Sequence, residues 1–259
     1  MRQYIGVIVR SFEISIKQLL IYRTTAILTI LFSTLFIIAE ILSVTVFFQF
    51  TDSIAGWGQS KVILLVATAT LIQHMYNFLF IMQHEAFSYM ILEGELDYIL
   101  IKPLNTLFLS SIRIFDLPSL ANMIIPIAMI RYIYQDFSIV WYQWVIYALL
   151  VILGVTQYYY ISQLMVSLAF WVENSESFVA LPEYLFAFAT KPRAIYPKYI
   201  QIMLGYGVPI LMMTNLPIEV ISGDETSILM IYSVAVTFVL KKLVDFQWSI
   251  GLRRYQSAN

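Results

Sequence analysis

Residues 139–172 read IVWYQWVIYALLVILGVTQYYYISQLMVSLAFWV, without a single Asp, Glu, Lys or Arg. At 1.5 Å per residue an uncharged helix of this length overruns the roughly 30 Å hydrocarbon core of a bilayer. The stretch therefore predicts a membrane span that tilts or projects into water at one end. The whole chain has the same character. Of its 259 residues 60% are hydrophobic and 12% charged, and mean hydropathy is +0.79. A soluble domain runs at about 45–50% apolar and about 25% charged, and one of this size cannot hide so much apolar surface. The fold class is an all-α polytopic membrane protein.

Working towards the N-terminus, residues 117–130 are uncharged and predict a third span, begun around residues 106–112 and ending near Arg131. Pro118 and Pro126 should bend it. Residues 62–83 carry no charge and residues 24–51 only Glu40, which predicts spans two and one, joined by a turn containing Asp52, Gly56 and Gly58. Before them, Ile5, Ile8, Val9, Phe12, Ile16, Leu19 and Leu20 recur at helical spacing opposite Arg2, Arg10, Glu13 and Lys17. Residues 1–23 thus predict an amphipathic interfacial elbow helix. The same charges leave no apolar core with a small-residue cleavage site, so this N-terminus is expected to be retained.

Working towards the C-terminus, Glu173, Asn174, Ser175 and Glu176 predict a polar turn, and residues 178–190, with Glu183, form an apolar stretch short for a crossing. Residues 191–221 are punctuated by Pro192, Pro197, Gly205, Gly207, Pro209 and Pro217, yet 199–218 is uncharged. Re-entrant helices on the outer side fit this pattern, because irregular backbone at membrane depth must be sheltered by protein or line a cavity. The last span begins near Thr226 and runs to Trp248, with Lys241 and Lys242 able to snorkel. Six transmembrane helices put both termini on one side. That side then holds ten of the fifteen Lys and Arg, so the termini are expected to be cytoplasmic in a multi-pass protein of the cell membrane, with Lys191, Arg193 and Lys198 an exception to the positive-inside rule.

A net charge of −1 argues against a nucleic-acid partner, and the absence of cysteine excludes disulfides and thiol chemistry. No G-x-x-x-x-G-K-[ST], H-E-x-x-H or G-x-S-x-G occurs, so the chain itself offers no nucleotide-phosphate cradle, metal ligand set or catalytic nucleophile. Among ionisable groups at membrane depth, His74 falls near the middle of span two and Glu40 towards the outer end of span one. With Tyr159 of the Tyr158–Tyr160 run they are the candidates for a translocation path, and His74 with Glu40 would serve a proton-linked secondary transporter, the alternative reading. That alternative would favour inverted internal repeats, and the two halves show no convincing repeat. Arg113 and Asp116 are expected to form a local ion pair.

The first long polar stretch, residues 84–105, contains Gly94-Glu95-Leu96-Asp97-Tyr98-Ile99-Leu100-Ile101-Lys102-Pro103-Leu104. Here the sequence resembles the type-2 ABC exporter permeases, in the subgroup with a G-x-L-D-x-x-L-x-[KR]-P-L segment after span two. Phe170-Trp171, Ile195-Tyr196-Pro197 with Pro209, and the stretch from Trp248 to Ala258 agree with the same subgroup, whereas Lys191-Pro192-Arg193 departs from it. The resemblance implies one permease domain over residues 1–259: the elbow, six spans, a cytoplasmic coupling segment at 84–105 and re-entrant helices at 191–221. It implies a second permease chain, identical or related, and separate nucleotide-binding ATPase subunits that hold ATP and Mg, with no cofactor on this chain. The ATPase-coupling interface would comprise Glu93, Gly94, Glu95, Leu96, Asp97, Lys102 and Pro103.

Overall fold

Helix α1 (Arg2–Ile21) turns hydroxyls inward and aliphatics outward. Ser11 and Ser15 are its buried residues; the Ser15 hydroxyl donates to the Ser11 carbonyl at 2.8 Å and accepts from the Phe115 amide at 2.7 Å. Ile5, Ile8, Val9, Phe12, Ile16 and Leu20 are exposed along the rest of the helix. That arrangement is unfavourable in water and favourable against hydrocarbon.

The computed structural model describes residues 2–133, 135, 137, 140–172, 176–224 and 226–256, and the polar turn expected at Glu173, Asn174 and Ser175 lies outside them. Among the described residues the fold is helical, with only an isolated bridge between Ile54 and Trp57. Four helices are long and apolar enough to cross a membrane, or five if one bent pair counts as a span. Helix α2 (Arg23–Phe47) ends in a tight turn in which Ile54 and Trp57 exchange backbone hydrogen bonds of 3.0 and 2.9 Å. The two residues between them, Ala55 and Gly56, both have positive φ, as a two-residue reversal of this hand demands.

The next helix runs from Gln59 to Leu92 as α3 (Gln59–Tyr76), a π turn (Asn77–Ile81) and α4 (Met82–Leu92). At 34 residues it extends about 51 Å. This corrects the expected start of the polar connection at His84: residues 84–92 are helical and His84 is buried. Its Nε2 meets the Gln163 Oε1 at 3.1 Å and its Nδ1 the Tyr76 hydroxyl at 2.8 Å. A carboxamide oxygen only accepts, so Nε2 carries the proton and Nδ1 accepts from Tyr76. The polar side chain is satisfied inside the bundle and the helix continues.

After α5 (Asp97–Leu100) and α6 (Thr106–Ser111), the chain breaks before α7 (Leu117–Asn122) and α8 (Ile124–Ile133). The third apolar segment therefore starts at Leu117 rather than near residue 106. Pro118 opens α7 instead of bending it, a position where the missing N–H is harmless. Pro126 lacks the donor that would have reached the Asn122 carbonyl, which accounts for the interruption at Met123. Arg113 and Asp116 fall in the break and do not pair: Arg113 meets Glu95 at 3.3 Å, and Asp116 accepts from Ser119.

Helix α9 (Trp141–Val166), prolonged to Phe170 by a 3₁₀ turn, is the quoted stretch and spans about 45 Å. It packs on α10 (Glu176–Phe186), on α3 and most extensively on α12 (Ile210–Ile221). Pro217 within α12 cannot bond the Met213 carbonyl, and that freed oxygen lies against Gly154 of α9, where an added Cβ would stand 3.0 Å from it. The small residue lets the two backbones approach. α12 is joined to α11 (Lys198–Ile202) and its π extension to Gly207 through a 91° bend, placed where Pro209 removes a donor. The last helix is α13 (Ser227–Arg254). Leu64, Leu65, Val66, Ala67, Ala69 and Ile72 of α3 are all within 1% of full burial, so this helix is the axis of the bundle. α2 and α13 are peripheral: 11% and 17% of their apolar windows are buried, against 50% for the helices begun by α3 and α9.

Candidate functional site

Gly94 ends the long helix. It has φ of +71°, and its amide donates to the Ile91 carbonyl at 3.3 Å while Glu93 still bonds Tyr89. A left-handed residue just past a helix terminus reverses the chain, and glycine does so without a Cβ penalty. The Gly94 carbonyl then accepts from Asp97 at 3.2 Å and starts α5, and Pro103 follows the short helix. This geometry drives Leu96 and Ile99, at 0% and 2% exposure, into a cluster with Phe87, Met90, Leu109, Phe170 and Trp248. Leu252 and Tyr255 cap it from the C-terminal stretch, and the Trp248 indole donates to the Thr106 hydroxyl at 3.1 Å. Burial, and then the Asp97 carboxylate beside it, hold the Tyr255 phenol above its usual value. Three stretches far apart in sequence, 94–104, 170–171 and 248–255, thus meet at one end of the bundle.

What this anchoring leaves outside is a mixed surface. Glu93, Lys102 and Pro103 are exposed, Glu95 is half-exposed and tied to Arg113, and Asp97 is half-buried. Gly94 and Leu96 are buried and hold the turn in shape. Between them stand Tyr98 at 71% and Ile101 at 79% exposure, with Tyr89 and Leu92 alongside. Charge drew the sequence reading to the carboxylates and missed these apolar residues; an aromatic and an isoleucine within a polar connection were the available signal.

A cavity of about 510 Å³ lies where α1, α2, the π turn and α7 meet, and His74 lines it with Asn77, Glu85 and Asp116. The π turn supplies Asn77 and Ile81, and α2 faces it with Thr25, Thr29 and Ser33. His74 Nδ1 is shielded and has no hydrogen-bond partner among the described residues. Tyr159 belongs instead to the buried polar network beside it, bonding the Ser111 hydroxyl at 2.8 Å and stacking near His84. Glu40 is elsewhere, paired with Lys191 at 3.4 Å. The structure therefore does not bring the three residues expected to share a path together.

The opposite end of the bundle is closed by ion pairs. Lys61 meets Asp224 at 2.9 Å and sits over Trp57, and Arg193 meets Glu219 at 3.0 Å. The Arg193 amide also donates to Asn215 at 2.8 Å, and Asn215 donates back to the Lys191 carbonyl at 3.3 Å. Two of the three cations that broke the charge rule, Lys191 and Arg193, are thus balanced by carboxylates of the same chain.

Residues 32–259 match the model of the ABC-2 family transporter protein, and with a span that covers most of the length the chain belongs to the ABC-2 transporter family. No curated protein and no solved structure matches it. Membership makes the chain the membrane component of an ABC transporter, a multi-pass protein whose family associates with ATP-binding subunits and is typically not itself catalytic.

Proposed function

We propose that this chain is the permease subunit of an ATP-driven exporter in the cell membrane, with α1 as the interfacial elbow, six crossings, cytoplasmic termini and re-entrant helices before the last span. A second permease chain, identical or related, walls the translocation path. Separate ATPase subunits hold ATP and Mg and dock on the turn that contains Glu93, Gly94, Glu95, Leu96, Asp97, Lys102 and Pro103. One observation carries the reading: Tyr98 and Ile101 stand exposed on a turn that is rigidly clamped to α9 and α13 through Leu96, Ile99, Phe170 and Trp248. A turn so anchored passes a push from a soluble subunit to two long helices at once. Closing of the ATPase pair on ATP supplies that push, and the cluster transmits it.

The test is co-purification of the tagged chain, extracted from its native membranes, with a soluble ATPase subunit. Tyr98→Asp and Ile101→Asp should each weaken the complex by about tenfold or more, since buried aromatic and aliphatic anchors dominate such interfaces. Unchanged co-purification in both variants refutes the docking assignment.

A further inference from the structure

A second groove, of about 570 Å³, runs between α1 and the coupling turn. One wall is a stripe of α1 at helical spacing, Gln3, Val7, Arg10 and Ile14; the other is Ile99, Lys102, Pro103 and Leu104, with Arg113 at the side. Three cations converge there, and among the described residues that line it none is a carboxylate. Arg113 shares its charge with Glu95 at 3.3 Å, whereas Arg10 and Lys102 form no ion pair among the described residues. The floor is aliphatic. The same helix presents Ile8, Val9, Phe12 and Ile16 outward, a face suited to hydrocarbon, so the groove opens at the level of lipid headgroups. Gly6 leaves the mouth wide, since a Cβ built there meets nothing within 4 Å.

We propose that this groove binds an anionic phospholipid, with its phosphate between Arg10 and Lys102 and its glycerol and upper acyl carbons over Val7, Ile14 and Leu104. Basic pockets at membrane-facing helices select anionic headgroups in this manner. The aliphatic floor favours an amphiphile over free phosphate, which would leave most of the volume as wet apolar surface. A bound headgroup ties α1 to the coupling turn through two charges of like sign that otherwise repel, so anionic lipid stiffens the junction. Lys102 and Pro103 are common to this groove and the docking turn, whereas Arg10 and Gly6 belong to the groove alone.

The full chain in neutral detergent, observed by native mass spectrometry during titration with phosphatidylglycerol or phosphatidylcholine, tests this without any ATPase. The wild type should hold phosphatidylglycerol about tenfold more tightly than phosphatidylcholine, and Arg10→Gln with Lys102→Gln should abolish that preference. Gly6→Phe keeps every cation but fills the mouth, and should reduce phosphatidylglycerol binding as well. Equal binding of the two lipids to the wild type, or full phosphatidylglycerol binding by both variants, overturns the proposal. Displacement of the lipid by millimolar inorganic phosphate overturns the lipid assignment in favour of a free-anion site. Failure of the Tyr98 and Ile101 variants to disturb ATPase docking would leave these outcomes untouched, so the two readings fail separately.

Discussion

A methyl group at position 251 would overlap three atoms of the Phe170 ring. That ring is packed edge-on against Phe87 and Trp248 and has no room to retreat. Gly251→Ala should therefore destabilise the fold by about 1–3 kcal/mol, the usual cost of overpacking, while Gly205→Ala, where a Cβ meets nothing within 4 Å, should stay within about 0.5 kcal/mol. Fluorescence-detected size exclusion after graded heating in detergent measures both, and equal midpoints for the two variants would contradict the packing described. The resemblance of the C-terminal stretch flagged Gly251 as part of a pattern, but nothing local in sequence reveals the ring that sits on it. The contact joins residues about eighty positions apart. Gly94 is the opposite case, because a glycine between a helical run and a short polar turn announces its own left-handed backbone.

At the scale of elements, punctuation by proline and glycine was legible and partnership was not. Pro209 and the glycines before it mark the 91° bend between α11 and α12, since a missing donor and a loosened helix act locally. The continuation of the second helix through His84 to Leu92 escaped a charge-based reading because the His84 side chain is satisfied by Tyr76 and by Gln163 on α9. The ion pairs that fasten residues 191–221 were hidden for the same reason. Glu219 is 7% exposed, and its charge is met by Arg193 at 3.0 Å. Arg193→Ala strands that carboxylate, and the loss should fall near the lower end of the roughly 3–5 kcal/mol typical of breaking a buried pair, because the arginine is partly solvated. Adding Glu219→Gln to Arg193→Ala removes the stranded charge and should restore most of the loss. If the double variant melted no higher than the single one, the pair would not be what holds α12 to the 3₁₀ turn at Arg193–Ile195.

For the whole molecule, the decisive property is that the bundle axis is solid. Leu65, Val66, Ala67, Ala69 and Ile72 are 0% exposed and packed by α8, α9 and α12, so among the described residues no cargo-sized conduit threads the centre of one chain. A path across the membrane must then run along an outer face, and a face alone is open to lipid on its other side. The two least buried long helices, α2 and α13, offer such faces: Phe36 is 74% exposed on the first and Ile231 72% on the second. Lipid satisfies these residues in an isolated chain, but a closed conduit needs a second wall, and a second permease chain is the reading that supplies one. The absence of native cysteine makes the test direct. Single cysteines at positions 36 and 231, oxidised in membranes that also contain the native partners, should give a disulfide-linked permease pair from at least one position, because the bond forms only when Cα atoms come within about 4.4–6.8 Å. A ladder of neighbouring positions four residues apart would then repeat the helical period of the buried stripe. Free labelling of both positions by a membrane-permeant thiol reagent, with no cross-linked pair along either helix, would mean that no second copy of this chain covers these faces.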